Sequence, residues 1–228
     1  MRYGWRWGQG WPTLRTAGLL SFAVGVGLVA VMPRSVVAAE DLTGVWLATS
    51  PRSVIRANRP ELTRKAQADL DAFDPLDDPV IRCVVPGVPR SGLTIYPFEI
   101  VQTETMLVFL YEHFGMVRRI YLDGRALPDD LPPGRMGYSL GHWEDAELVI
   151  DTTRFAPALL GGDGLRQYGD MSVRERYRLL EGGQVLEADV TITAPTTFVA
   201  PWTRRFTWQV DPNGMIYEAV CDPADSRF

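Results

Sequence analysis

The chain contains few of the residues on which metal sites and nucleophilic catalysis most often depend. Its 228 residues include two histidines, His113 and His142, and two cysteines, Cys83 and Cys221. Neither cysteine has a second cysteine or a histidine nearby, and no His-x-His or His-Glu-x-x-His sequence is present. We therefore predict no metal site and no other cofactor.

Sequence signatures of common enzyme classes are also missing. There is no Gly-x-Ser-x-Gly sequence, and no serine pattern near either histidine supports a Ser-His-Asp arrangement. The glycine-rich stretch GGDGLRQYGD, residues 161–170, follows no βα unit and contains no lysine, which excludes a phosphate-binding loop of the usual kind. We interpret this stretch as a mobile connection that could act as a lid.

The sequence has no acidic residue before residue 40. Residues 1–39 place arginines around the apolar run LLSFAVGVGLVAVM, which is too short to span a bilayer comfortably and is typical of a signal peptide. Small residues at 37–39 predict cleavage after Ala39, and a retained membrane anchor is the alternative. The arginines of this segment are Arg2, Arg6, Arg15 and Arg34.

The remaining chain, residues 40–228, has the length of a single domain. Without the four leader arginines, 19 of the 23 basic residues remain against 28 acidic residues, which gives a formal charge of −9. This acidic excess disfavours nucleic acid and anionic membrane surfaces as partners. The leader predicts a periplasmic or secreted protein with no stable membrane insertion after cleavage, and the sequence indicates no particular protein partner.

Both cysteines lie in the exported part of the chain. In an oxidising compartment, two cysteines far apart in sequence most economically form one disulfide, which is worth roughly 4 kcal/mol in the chain-entropy model. We therefore predict a Cys83–Cys221 disulfide, with a reactive thiol as the alternative.

Helical periodicity is confined almost entirely to residues 58–73, where apolar residues recur at helical spacing and Pro75 ends the segment. The rest of the mature chain reads as about eight to ten strands joined mostly by short turns. An antiparallel meander of this size removes its exposed edges most simply by closing into a barrel. We predict an all-β fold, an antiparallel meander closed into a β-barrel, with one short N-terminal helix.

Two glycine–tryptophan pairs, at 44–46 and 141–143, open predicted strands. The first pair opens the first long strand and resembles the signature at the closed end of lipocalins and related calycins, which enclose small apolar ligands. In lipocalins this tryptophan packs against an arginine from a late strand. The resemblance implies a lipocalin-like barrel in which Arg204 or Arg205 packs against Trp46.

Short motifs over nearly the whole mature chain carry a second resemblance. DLTGVW, DDPVIRC, PFEIVQT, VRRIYLDGR and WEDAELVIDT resemble, in this order, a family of exported, functionally uncharacterised bacterial proteins with a lipocalin-like (calycin) β-barrel. The resemblance implies export and the barrel but no reaction. The chain has GYS at 137–139 and HWEDA at 142–146, where the family pattern is Gly-His-Ser and Arg-Trp-Glu-Gly-Asp, so a function of that first histidine is not expected here.

Several charged residues alternate with apolar ones along the predicted strands. Side-chain parity puts Glu99, Glu112, Arg118 and Glu175 on the same faces as apolar neighbours. A buried charge costs several kcal/mol unless it is paired. These groups must therefore contact one another, a ligand, or water in a cavity.

We predict that these four residues form the polar end of a pocket inside the barrel, with Tyr111, Tyr121 and Tyr177 as its wall. The predicted function is binding of a small, largely apolar or amphipathic molecule outside the cytoplasm.

Two alternatives remain open. One is an enzyme on the same barrel, an isomerase, cyclase or hydrolase of a lipophilic substrate, with Glu112 or Glu175 as catalytic base and Arg118 holding an anionic intermediate. The other is a structural or protein-binding envelope module, in which the barrel is filled by its own side chains and internal Arg–Glu pairs set the strand register.

Overall fold

The computed structural model describes residues 39–49, 58–91, 96–219 and 221–222. The predicted signal peptide lies outside the described residues, apart from Ala39 at its end. Among the described residues, no helix is both long enough and apolar enough to cross a membrane.

Nine strands of the described chain close into a barrel in the order β1-β11-β10-β9-β6-β5-β4-β3-β2, and β7 and β8 form a separate hairpin. This architecture confirms the predicted all-β barrel. The strands are β1 (Gly44–Ala48), β2 (Phe98–Gln102), β3 (Met106–Tyr111), β4 (Met116–Tyr121), β5 (Tyr138–Glu144), β6 (Glu147–Thr153), β7 (Ala158–Leu159), β8 (Arg166–Gln167), β9 (Ser172–Leu180), β10 (Val185–Thr193) and β11 (Trp202–Asp211).

One junction of the barrel is parallel, which corrects the prediction of a purely antiparallel meander. β4 and β5 pair in parallel, with Ile120 opposite Ser139 and Tyr121 opposite Leu140. Parallel neighbours need a crossover of about a dozen residues or more. Residues 122–137, with the sequence LDGRALPDDLPPGRMG, are this crossover rather than a tight turn.

The predicted helix is present as α1 (Arg64–Asp71), shorter than the apolar pattern that predicted it. It begins where the Thr63 side chain accepts a hydrogen bond from the backbone N–H of Ala66, an N-terminal cap. The residues just before it pair instead with the loop after β10, because Leu62 forms a β-bridge with Phe198 and the Thr63 N–H donates to the Thr197 carbonyl.

Residues 58–91, which lie between β1 and β2 in sequence, fold over one end of the barrel, the end at which β2 and β4 begin; we call this the covered end. Buried Ser91 donates to the sulfur of Met116 at 3.2 Å, and the Val88 N–H donates to the Arg135 carbonyl at 3.3 Å. Short 3-10 helices at Pro75–Asp77 and Pro79–Arg82 belong to the same segment. The covered end is therefore built from loops, whose backbone groups bond to one another.

The predicted disulfide between Cys83 and Cys221 is present, with a Cα–Cα distance of 5.5 Å. It fastens the residues after β11 to the segment that covers the barrel end.

Aromatic side chains fill much of the barrel interior. Phe98 contacts Phe109 and Trp208, with ring centroids 5.6 and 5.5 Å apart, and Phe109 meets Tyr177 edge-on at 5.7 Å. Large buried side chains of this kind contribute about 1.5–3 kcal/mol each through burial, and aromatic pairs add to this. The barrel is consequently packed by its own residues around these rings.

The two glycine–tryptophan pairs belong to the barrel wall. Trp46 is buried and its indole N–H donates to the Leu42 carbonyl at 3.0 Å. At Gly141, a Cβ atom would approach Ile120 to 2.8 Å and Leu122 to 2.9 Å. Glycine there permits the close contact between β5 and the end of β4.

The arginine expected from the lipocalin resemblance lies elsewhere. The guanidinium of Arg204 is 3.9 Å from the ring centre of Trp202 and 5.2 Å from that of Phe206, and burial lowers its pKa to about 10. Arg205 forms an ion pair with Asp189 on the outer face. The structure therefore supports the barrel of that resemblance but not its tryptophan–arginine contact.

Candidate functional site

A salt bridge lies inside the barrel between Arg118 of β4 and Glu175 of β9. Nη1 of Arg118 donates to Oε1 of Glu175 at 3.0 Å, and Nη2 donates to Oε2. The two side chains are 2% and 5% exposed. Two parallel charge-assisted hydrogen bonds are a strong arrangement for a guanidinium and a carboxylate.

Hydroxyl groups complete this cluster. Nε of Arg118 donates to Ser139 Oγ at 3.0 Å, and Nη2 donates to Thr152 Oγ1 at 2.7 Å. The Tyr177 hydroxyl donates to Glu175 Oε1 at 2.9 Å. All of these groups are buried, and they come from β4, β5, β6 and β9. The cluster therefore links four strands that are consecutive in the barrel, β9, β6, β5 and β4, through hydrogen bonds that its own members supply.

The pKa values of Arg118, Tyr111 and Tyr177 are all raised in this cluster. Burial disfavours the charged form of Arg118, but the attraction and hydrogen bonds of Glu175 outweigh burial and raise the pKa of the guanidinium. Burial raises the pKa of Tyr111 to about 12. Burial and then the charge of Glu175 raise the pKa of Tyr177 well above its ordinary value. At neutral pH both tyrosines are neutral, and neither has the pKa near 7 that suits a general acid or base.

The structure brings together four of the residues predicted for the interior pocket and leaves three outside. Arg118, Glu175, Tyr111 and Tyr177 are all buried in the barrel. The other three lie on or beyond the outer face: Glu99, Glu112 and Tyr121.

The three outer residues, Glu99, Glu112 and Tyr121, lie in three different environments. Glu99 shares the outward face of β2 with Val101, which is 38% exposed. Glu112 follows β3 and accepts a hydrogen bond from the backbone N–H of Tyr217 at 3.1 Å. Tyr121 lies beneath the guanidinium of Arg125, 3.9 Å from its ring centre. The two candidate bases, Glu112 and Glu175, therefore do not face a common space.

The misplacement of Glu112 has a simple physical origin. Both faces of β3 are apolar, and parity separates the two faces without saying which one points inward. The face of Leu107, Phe109 and Tyr111 is buried, whereas the alternate residues are half-buried. Glu112 continues the second face.

Sequence reasoning missed Ser139 and Thr152 because it considered charged residues and tyrosines but not the smaller hydroxyl side chains. Thr152 continues the buried face of Leu148 and Ile150, and Ser139 shares the inward face of β5 with Gly141. A hydroxyl on an otherwise apolar strand face was the available signal, since a buried hydroxyl needs a hydrogen-bond partner.

The histidines do not form a metal site. His142 is exposed and lies 3.0 Å from Glu144 Oε1, and His113 stacks on Tyr96 with ring centroids 4.6 Å apart. Burial, and then the charge of Arg90, lower the pKa of His113. In the part of the chain that the structure describes, no group of three or more histidine, cysteine, aspartate or glutamate side chains could hold a metal ion.

A pocket of about 120 Å³ lies at the covered end of the barrel. Its wall combines loop residues, the β7–β8 hairpin and three arginines, and we call it the arginine pocket. It is lined by Asp78, Pro79, Val80, Val84, Pro86, Arg90, Arg135, Pro157, Ala158, Leu159 and Arg166.

One arginine of the pocket is neutralised by a carboxylate. Arg90 Nη1 donates to Asp78 Oδ1 at 3.0 Å and Nη2 donates to Oδ2 at 2.6 Å. Burial would raise the pKa of Asp78, but the hydrogen bonds and charge of Arg90 and a hydrogen bond from the Val80 N–H lower it below the ordinary value. Asp78 is consequently ionised at neutral pH and offsets the charge of Arg90.

The other two arginines are not neutralised in this way. Among the described residues, the guanidinium groups of Arg135 and Arg166 make no hydrogen bond or ion pair with a carboxylate. Both side chains line the pocket. The pocket thus holds two positive charges without a protein counter-charge in contact.

The glycine-rich stretch contributes to the pocket through a hairpin rather than through an unstructured lid. β7 and β8 pair with Ala158 opposite Gln167 and Leu159 opposite Arg166, and the glycine-rich turn lies between them. A Cβ atom at Gly162 would lie 3.6 Å from Arg90 Nη2 and 3.8 Å from Asp78 Oδ2. The turn therefore packs over the Asp78–Arg90 pair.

A second, wider pocket has the opposite charge character. It measures about 570 Å³ and lies between residues 39–43, residues 102–104 and Trp143. Its lining includes Asp41 and Glu104 but no arginine or lysine.

Comparison with protein-family models and with curated proteins gives no match for this chain.

Proposed function

We propose that this protein is an exported small-molecule-binding barrel protein whose ligand site is the arginine pocket. The observation that carries the proposal is the presence of two arginines, Arg135 and Arg166, that line a pocket and contact no carboxylate among the described residues. Guanidinium groups in such a position offer hydrogen-bond donors to a ligand.

The walls of the pocket support this proposal because they are held in place before any ligand arrives. Cys83 lies between the lining residues Val80 and Val84 and is fixed by its disulfide. Gly87 packs so closely on Arg135 that a Cβ atom would lie 2.1 Å from the Arg135 carbonyl oxygen. Preorganised walls lower the entropic cost of binding.

The proposal keeps the predicted binding function but moves its site. An apolar ligand was expected inside the barrel, where the structure has packed aromatic rings and the Arg118–Glu175 cluster. The enzyme alternative draws no support from that cluster, because Glu175 is buried and held by Arg118 and Tyr177. A general base must reach the proton that it abstracts.

A structural or protein-binding envelope module is the second candidate function. The interior packing favours it, since a barrel whose buried charges bond to one another needs no ligand to fold.

Export is part of the proposal. The disulfide supports an oxidising compartment, and the leader sequence supports secretion into the periplasm or beyond. We also propose that the chain belongs with the exported bacterial proteins that its motifs resemble.

The proposal is tested by native mass spectrometry of protein purified from the periplasm, followed by identification of any released molecule. Ala158→Trp fills the pocket, whereas Val117→Trp places the same side chain on the outer face of β4, where Val117 is 41% exposed. We expect the unmodified protein and Val117→Trp to retain a stoichiometric small molecule, and Ala158→Trp to retain roughly tenfold less or none.

Melting curves of both variants establish that they fold. Equal retention by Ala158→Trp and Val117→Trp would place any ligand outside the arginine pocket. Retention of no small molecule, together with no uptake from a periplasmic extract, would favour the structural module.

A further inference from the structure

We infer that the arginine pocket is specific for a small oxyanion carrying two negative charges, of the chemistry shared by phosphate and short dicarboxylates. This inference rests on the proposed function and names the class of ligand for that site.

Asp78 neutralises one arginine and leaves two. Both oxygens of its carboxylate accept hydrogen bonds from Arg90, and Oδ1 also accepts one from the Val80 N–H. Asp78 is 7% exposed, so this pair is a fixed part of the wall. Asp78 therefore has little remaining capacity for Arg135 or Arg166.

The carboxylate of Asp69 interacts with Arg166 through its charge but forms no ion pair with it. The hydrogen bonds of Tyr168 and Lys65 are the main causes that lower the pKa of Asp69, and the charge of Arg166 adds a smaller contribution. Oδ2 of Asp69 accepts hydrogen bonds from the Tyr168 hydroxyl at 2.6 Å and from Lys65 at 2.9 Å. Asp69 belongs to helix α1, and among the described residues its carboxylate forms no hydrogen bond or ion pair with Arg166, which lines the pocket from an exposed position on β8.

Arg135 and Arg166 line one small pocket, Arg135 half-buried and Arg166 exposed, and two like charges so placed repel each other. A bound monoanion would neutralise one of the two positive charges of Arg135 and Arg166, whereas a bound dianion would neutralise both. The chain as a whole is acidic, with a formal charge of −5, so this excess of positive charge is local to the pocket.

The shape of the donors and the size of the space limit the ligand further. Each guanidinium presents a planar fork that matches the oxygens of a carboxylate or a phosphate. The pocket volume of about 120 Å³ is a few times the roughly 30 Å³ that one water molecule occupies in the liquid. This space admits an anion of a few non-hydrogen atoms, in contact with aliphatic and proline side chains.

Isothermal titration calorimetry of the protein at low salt and about pH 8, where phosphate is mostly doubly charged, tests the inference. The probes are inorganic phosphate, succinate and, as the monoanion control, acetate. We expect phosphate or succinate to bind roughly tenfold or more tightly than acetate.

Matched arginine variants locate the binding. Arg135→Gln and Arg166→Gln should each weaken binding of the preferred dianion by roughly tenfold or more. Arg119→Gln removes the same charge from an exposed position on β4 and should change binding by less than about twofold. Binding of phosphate alone or of succinate alone would identify whether the site accepts phosphates or short dicarboxylates.

The outcomes separate this inference from the proposed function. If neither dianion binds more tightly than acetate, while Ala158→Trp still loses a co-purified molecule, the inference fails and the binding function stands. If no probe binds and no molecule co-purifies, both fail. Equal effects of Arg119→Gln and the two pocket variants would show non-specific attraction and would also overturn the inference.

Discussion

Arg118 and Glu175 depend on each other because neither has significant access to water. Each would be a costly buried charge without its partner. Ser139, Thr152 and Tyr177 satisfy further hydrogen-bonding positions of the pair. At this scale the interior of the barrel holds a fixed polar contact that joins β4 to β9.

Glu175→Gln should lower the free energy of unfolding by about 3–5 kcal/mol, because it leaves the guanidinium of Arg118 buried without a counter-charge. Urea denaturation measures the change. Asp151→Asn is the matched control, since Asp151 pairs with Arg174 at 2.7 Å on the exposed face and its loss should cost less than about 1 kcal/mol. Equal changes in the two variants would contradict the structural role of the buried pair.

The parallel junction between β4 and β5 is the feature that distinguishes this barrel at the level of elements. The crossover 122–137 leads from the far end of β4 back to the covered end, and it places Arg135 in the wall of the arginine pocket. β5 then packs beside β4 with Gly141 against Ile120 and Leu122. The same element therefore shapes both the barrel and the candidate site.

Gly141→Ala should destabilise the protein by about 1–3 kcal/mol, because the added methyl group overlaps Ile120 and Leu122 in a packed core. The midpoint of urea unfolding measures the effect. Gly134→Ala in the crossover is the control, because a Cβ atom there meets nothing within 4 Å. A Gly141→Ala variant as stable as Gly134→Ala would show that the β4–β5 contact tolerates the extra volume.

At the scale of the whole molecule, one disulfide connects the chain after the last barrel strand to the loops that cover the barrel end. Cys83 follows the 3-10 helix Pro79–Arg82, and Cys221 lies after β11, at a sequence separation of 138 residues. Pocket residues Val80 and Val84 flank Cys83. Stability and ligand binding should therefore both depend on this bond.

The double variant Cys83→Ser/Cys221→Ser should lose about 2–5 kcal/mol of unfolding free energy, because the unfolded chain gains freedom and the covered end is no longer fastened. It should also bind the preferred anion of the arginine pocket more weakly, as calorimetry would show. Reductant should reproduce both effects in the parent protein and have none on the variant. Unchanged binding after reduction would mean that the pocket wall holds without the disulfide.

The alternation of side chains predicted the inward face correctly for some strands and not for others. The prediction that Glu175 and Tyr177 face inward is confirmed, because the residues of β9 alternate between its two faces and Arg174, Arg176 and Arg178 lie on the outer one, where all three form ion pairs. Alternation along β3 failed for Glu112, because both faces of that strand are apolar and burial differs between them only in the closed barrel. The prolines and glycines of the crossover 122–137 mark a break between strands without showing where the chain returns.

The sequence by itself determined the all-β class, the short helix and the cysteine pair, because alternation, helical periodicity and cysteine count are local or additive properties of the chain. Tertiary structure alone decided which strand faces point inward, the parallel neighbour of β4, and the arginine pocket. Arg90, Arg135 and Arg166 are far apart in sequence and meet only when the covering loops, the crossover and the β7–β8 hairpin close over one barrel end. The proximity of these three arginines depends on strand order, which short-range sequence patterns do not encode.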